Sequence, residues 1–288
     1  MTDVNRPVLS TGQVILYGDC WPVVSAVRHM TAAVCPAFTC ETASGLPALL
    51  QLLTRHPEAL LILCLRPREH LFLFAALTEE LRMHPALVIS DELFFSDRLV
   101  LSTWGALPGV MHAELATMIT SQRLGELYPF APLFCPEKNG LTDFLLSPHG
   151  PSGLSLMPPV FHLEEPLMDY LSLLLYQTMS ERGLTPFRMR LLQAICSGCQ
   201  NQNALAAHMN TDAKKIWNEK YRLLTQLNIQ GHLRELIYGT RFCSFLQRTS
   251  FMPPAEADLW RRRTEQRTGS KDTDKTTHLS FPAAHSAG

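Results

Sequence analysis

Lys214, Lys215, Trp217, Asn218, Lys220 and Arg222 crowd into nine residues just behind Asp212, whose carboxylate suits a helix start. Over residues 212–227, Ile216, Leu223, Leu224 and Leu227 recur at helical spacing, so they predict a buried stripe with the cations and the amide opposite it. Lysines on such a face neutralise phosphates, with strong salt dependence, and an asparagine amide can pair with the edge of adenine. These six residues are therefore the candidate contacts to double-stranded DNA. Trp217 is either a wedge against the backbone or a packing residue, and Glu219 among them would repel phosphates. The plain alternative is a solvated charged helix.

Two shorter helices are predicted to hold that face in place. Thr185 followed by Pro186 is a helix start, Leu191, Leu192 and Ile195 share one side, and Gly198 can end the helix in a left-handed conformation. Leu205, Ala206 and Met209 make the inner side of a second helix, and Asn210 and Thr211 turn the chain into the third. This is how a helix-turn-helix presents side chains to a major groove. Leu184, Thr185, Gly198, Leu205-Ala206, Lys214, Ile216 and Leu227-Asn228-Ile229 resemble the DNA-binding domain of LuxR/NarL-type transcription regulators, with one inserted residue near Gln202. Two positions depart from that pattern: Arg188 stands where the family has Glu, and Glu219 where it has His.

The 288 residues, 46% of them hydrophobic, suffice for two ordinary domains. The net charge of −1 is unevenly spread. Residues 184–250 hold nine Lys and Arg against three acids, a net of +6; residues 1–183 carry −8 and the remainder +1. A basic segment on an acidic body points to nucleic acid at one end and protein partners at the other. The start lacks an apolar region behind a basic one, no run reaches the roughly 18 apolar residues of a membrane helix, and eight cysteines show no disulfide spacing. A cytoplasmic protein with reduced thiols is the expectation.

Ahead of the basic segment, short apolar runs at 14–17, 38–42, 59–65, 87–90 and 109–111 alternate with helical spacing at 22–34, 46–53, 71–83, 94–104 and 113–122. That alternation predicts parallel strands joined by helical crossovers, a doubly wound α/β domain. The order resembles a response-regulator receiver, the usual N-terminal partner of such a helix-turn-helix, although another α/β fold fits the pattern too. The resemblance implies an acidic pair after strand one, where only Asp19 stands, and a phosphate-accepting Asp, where Leu63 stands with Cys64 next. Ser90 matches the expected hydroxyl, while His112 and Ala113 replace the lysine after strand five. The implied domain is a degenerate, non-phosphorylatable receiver serving as an interaction surface.

Seven prolines between residues 128 and 160 predict an extended linker. An apolar stripe at Leu167, Tyr170, Leu171, Leu174, Leu175 and Met179 makes a helix at 163–182, packing on the helix-turn-helix or pairing with its copy. Residues 232–246 predict a further helix that the resemblance associates with dimer contacts, and the polar stretch from Pro253, including Arg261-Arg262-Arg263, reads as disordered. Cys196 and Cys199 have CxxC spacing without a second pair; His162 beside Glu164 and Glu165 is an unremarkable polar run. No glycine-rich phosphate loop or GxSxG elbow occurs.

The domains expected are thus 1–125 receiver-like, 126–162 linker, 163–250 helix-turn-helix and 251–288 disordered tail: an α/β unit followed by an all-α unit. The function expected is DNA binding by helix 212–227, as a homodimer or with a related regulator, without metal, cofactor or enzymatic activity. The alternative is an interaction-only modulator acting on another regulator.

Overall fold

The computed structural model describes residues 12–115, 140–148, 150, 157, 161–199, 201–229 and 233–272, the last nine as helical backbone alone. Five strands, β1 (Gln13–Gly18), β2 (Thr39–Thr42), β3 (Leu60–Cys64), β4 (Ala86–Ser90) and β5 (Gly109–Met111), pair in parallel in the order β2-β1-β3-β4-β5. Helices α1 (Trp21–Val34), α2 (Leu46–Arg55), α3 (Leu71–Ala76), α4 (Glu80–Met83) and α5 (Phe95–Thr103) follow the first four strands. The doubly wound sheet expected from the alternating pattern is present.

Both faces of the sheet are covered, so β3 is apolar at every position. The pleat sends Leu61 and Leu63 to one side, against Leu49, Leu50 and Leu53 of α2 and Leu73 of α3. It sends Leu60, Ile62 and Cys64 to the other, against Val24 and Val27 of α1. A short helix, α6 (Gly140–Leu146), joins that second side by burying Leu141, Phe144 and Leu145. The extended linker expected at 126–162 is corrected over Gly140–Leu146, which is proline-free and has three apolar residues on one helical face; residues 126–139, 149, 151–156 and 158–160 lie outside the described residues. The helix expected at 113–122 is described only as far as Leu115.

Helix α7 (Glu164–Glu181) lies across two cores. Leu167 and Leu171 belong to the sheet's core, and Leu175 and Met179, one and two turns on, belong to a second, helical core. Of the two alternatives for this apolar stripe, it is packed within the chain; Leu173 and Tyr176 on its other side are exposed. The second core holds α8 (Pro186–Cys196), α9 (Gln202–His208), α10 (Ala213–Leu227) and α11 (Leu233–Gly239), and α5 lends it Phe95 and Leu99. The helix expected over 232–246 is shorter, ending at Gly239, with a single 3-10 turn at Ser244–Leu246.

The stretch from Pro253 expected to be disordered is helical, α12 (Pro254–Asp272). Ala257 is buried in the sheet's core and Trp260 packs against it. Arg261 donates from Nε to Glu80 Oε1 at 2.6 Å and from Nη2 to the carbonyl of Ala76 at 3.0 Å. These contacts supply the order that its polar composition does not predict. Residues 273–288 lie outside the described residues.

Candidate nucleic-acid interface

Each helix of the α8–α9–α10 unit begins on a capping side chain. The Thr185 hydroxyl accepts from the Arg188 amide, Asn201 Oδ1 accepts from Asn203 N–H at 2.8 Å, and Asp212 Oδ1 accepts from Lys215 N–H at 2.7 Å. Gly198 ends α8 region at φ +96, and Asn228 closes α10 at φ +54, a left-handed conformation asparagine tolerates. Inside, Leu191, Ile195, Leu205, Ile216, Leu223 and Leu227 are almost wholly buried. Leu224, expected among them, is half-buried instead.

On the outer face of α10, Lys214, Lys215, Trp217, Asn218 and Arg222 are exposed, and Lys220 is half-buried. Among the described residues, no part of the N-terminal half covers the exposed five. They differ in what they touch. Lys215 Nζ sits 5.2 Å from the ring centre of Phe187 at the start of α8, a cation–π contact that leans it across the helix pair. Arg222 is tied to Glu219 at 2.8 Å.

Glu219 does not act as a free carboxylate. Arg188 Nε meets its Oε2 at 2.7 Å, while the other oxygen takes Arg222. Burial pushes the carboxyl upward, but the hydrogen bonds and charges of Arg188 and Arg222 outweigh it and hold the group below its ordinary value. Arg188 also donates to Gln226 Oε1 at 2.9 Å, clamping α8 to α10. The two residues that depart from the resembling pattern are thus each other's partners. Sequence reading weighed them separately; their opposite charge was the signal that could have joined them.

It also passed over Tyr221. Trp217 and Tyr221, one turn apart on α10, stack with ring centres 6.1 Å apart, and are 58% and 64% exposed. With Leu205, Ile216 and Leu224 they border a cleft of about 190 Å³ between α9 and α10.

In the α/β unit, the strand C-termini open onto a crevice of about 450 Å³ lined by Asp19, Cys64, Arg66, Ser90, Asp91 and His112. Leu63, the residue aligned with a receiver's phosphate acceptor, faces the core and is fully buried, so Cys64 is the side chain that reaches this space. Burial, with the nearby Asp19 and Cys20, pushes the Cys64 thiol up to about 12. Asp91 is gripped by Arg66, Nε to Oδ1 at 2.8 Å, which lowers its carboxyl to about 2.

Arg248, past the last helix of the helical unit, also lines the crevice. Arg248 pairs with Asp19, and its backbone N–H donates to the Glu69 carbonyl at 2.8 Å. Gln247 Oε1 accepts from Leu71 N–H, and Thr249 Oγ1 lies 2.8 Å from His70 Nδ1. Among the described residues, no group of three or more His, Cys, Asp or Glu could hold a metal ion. Cys196, of the CxxC pair, is half-buried with its sulfur 3.9 Å from Thr240 Oγ1, and burial raises its thiol.

No protein-family model and no curated protein matches the sequence. Among solved structures, the chain is similar to one described as the two-component response regulator RcsB-DNA complex, at 14% identity and TM-score 0.47, covering 80% of this chain and 98% of that one. It is also similar to RcsB from Salmonella enterica serovar Typhimurium bound to promoter P1flhDC, at 13% identity and TM-score 0.44, covering 80% and 98%. FixJ from B. japonicum follows at 14% and 0.27, covering 78% and 94%. At these identities and scores the likeness carries no argument about what the chain does. Among the described residues, no helix is long and apolar enough to cross a membrane.

Proposed function

We propose that this protein is a DNA-binding transcription regulator that reads a major groove with α10. The observation that carries the reading is the exposed Lys214, Lys215 and Asn218 on a helix capped at both ends and held by two shorter ones. Neutralising Glu219 with Arg188 and Arg222 removes the main objection to placing this face on phosphates. Lys214, Lys215 and Lys220 supply backbone affinity, Asn218 a base contact, and Arg222 and Trp217 flank them. The α/β unit serves as a non-phosphorylatable interaction domain: Cys64 offers a neutral thiol where a carboxylate would be needed, and Asp19 is engaged by Arg248 and His70. Binding as a dimer places two half-sites about one helical turn apart. In mobility-shift assays of the full chain on duplexes selected from a random pool, the Lys214→Ala/Lys215→Ala variant loses specific binding and its affinity falls less steeply with salt. Unchanged retardation in that variant refutes the reading.

A second reading, an interaction-only modulator, has its own observation: the exposed, stacked Trp217–Tyr221 pair over a small apolar cleft has the composition of a protein-binding hot spot. It predicts that Trp217→Ala abolishes capture of a partner regulator, with no duplex retarded at any salt concentration. If Trp217→Ala instead alters sequence preference on DNA, that pair works in the groove.

A further inference from the structure

Between α7, α8 and the segment after α11 runs a groove of about 490 Å³, within the roughly 300–1,000 Å³ of small-molecule sites. Leu175, Met179, Leu192 and Phe242 give it an apolar wall, and among the described residues Arg190 and Arg241 are its charged residues, with no carboxylate in the lining. Arg241 uses Nη1 on the Cys196 carbonyl at 3.3 Å, at the end of α8. Its Nε is covered and has no partner, and no hydrogen bond of its Nη2 occurs among the described residues, so the Nε–Nη2 edge is unpaired, with Nη2 the atom open to a ligand. That edge is the one with which Arg66 grips both oxygens of Asp91 in this same chain. It suits a planar carboxylate, and a guanidinium remains charged at every relevant pH. Arg190 is exposed at the rim and forms no ion pair among the described residues.

We infer that this groove binds a small amphipathic carboxylate, its hydrocarbon part on Leu175, Met179, Leu192 and Phe242 and its head group on Arg241 and Arg190. A neutral or cationic molecule of the same apolar length satisfies the wall but leaves the guanidinium edge empty. The occupant lies against α7 and α8, the two helices that carry Leu175 and Leu192 into the helical core. Its binding is independent of whether α10 reads DNA, so the test needs no nucleic acid.

Isothermal titration of the full chain with n-octanoate, n-octanol and n-octylammonium decides the matter. Octanoate is expected to bind at least tenfold more tightly than the other two. Arg241→Gln should weaken it at least tenfold, and Met189→Trp, which enlarges another residue lining the groove, should abolish it. Because Arg241 also serves the end of α8, Arg190→Gln at the exposed rim provides a variant that leaves the fold intact and should weaken octanoate severalfold. Equal binding of all three probes overturns the inference, as does octanoate binding unaffected by either arginine variant. Absence of binding, with a dimer that dissociates in Arg190→Gln by sedimentation, assigns the groove to a second copy of the chain and overturns it too.

Discussion

Arg188 and Glu219 are unfavourable separately and favourable together. A lone glutamate on a DNA-facing helix repels phosphate, and a lone arginine in the first turn of α8 opposes the helix dipole. Joined at 2.7 Å with both side chains largely covered, they lock α8 to α10. Glu219→Ala should lower stability by about 1–2 kcal/mol in urea unfolding, the range for a charge-assisted hydrogen bond lost at a partly solvated site. The swap Arg188→Glu/Glu219→Arg should recover only part of the loss, because Arg222 then meets a like charge, and a double-mutant cycle without a coupling energy would refute the pairing. Buried deeper, Asp97 accepts from the Arg68 N–H and the Phe94 N–H, each at 2.8 Å, and from Arg68 Nη1 at 2.5 Å. Asp97→Ala leaves the Arg68 guanidinium, 3% exposed, on Glu92 and Glu69 alone and two backbone N–H groups without their acceptor, so a loss of about 3–5 kcal/mol is expected in the same assay.

Helices α5 and α7 each serve two cores, and this sets what can be removed. A fragment spanning residues 160–250 keeps the three helix-turn-helix elements but bares Leu167 and Leu171 on α7 and takes Phe95 and Leu99 of α5 from the helical core. Such a fragment is expected to aggregate or to unfold in lower urea than the full chain; a sharp, stable transition would show the helical unit to be autonomous. Helix α12 works the same way on the sheet. Ending the chain at Met252 exposes the α2 face that Ala257 and Trp260 cover and frees Glu80 from Arg261. The loss should appear as a lower Tm, with the helix-turn-helix face itself unaltered.

Across the whole molecule, the crevice at the strand ends is where the chain's distant parts meet, Asp19 with Arg248 and His70 with Thr249. Its acids determine the response to pH. Arg66 holds Asp91 at about 2 rather than its ordinary 3.8, and the His70 hydrogen bond holds Asp19 low despite burial. A depressed carboxyl stabilises the fold above its unfolded value and loses that contribution as pH falls through the folded one. Stability should therefore drop between about pH 4 and pH 2, and Asp91→Asn should flatten that part of the urea-midpoint profile. Acetyl phosphate is expected to leave the intact mass of the chain unchanged; a phosphoryl adduct would overturn the non-phosphorylatable reading of the domain.

The periodicities, the caps and the charge asymmetry are local properties, so the sequence alone determined five strands, the α/β unit ahead of a helical one, and the place where α10 begins. Asp212 caps within three residues, and β3 is apolar throughout because both of its faces are covered. Tertiary structure alone decided the features that depend on residues far apart in the chain. Glu219 is neutralised from 31 residues away and Asp19 from 229, and polar-looking α12 is ordered only because Ala257 and Arg261 find α2, α4 and the sheet's core. Composition within a short window carries the free energy of a turn or a cap. It does not carry the desolvation and charge pairing that arise when distant segments come together.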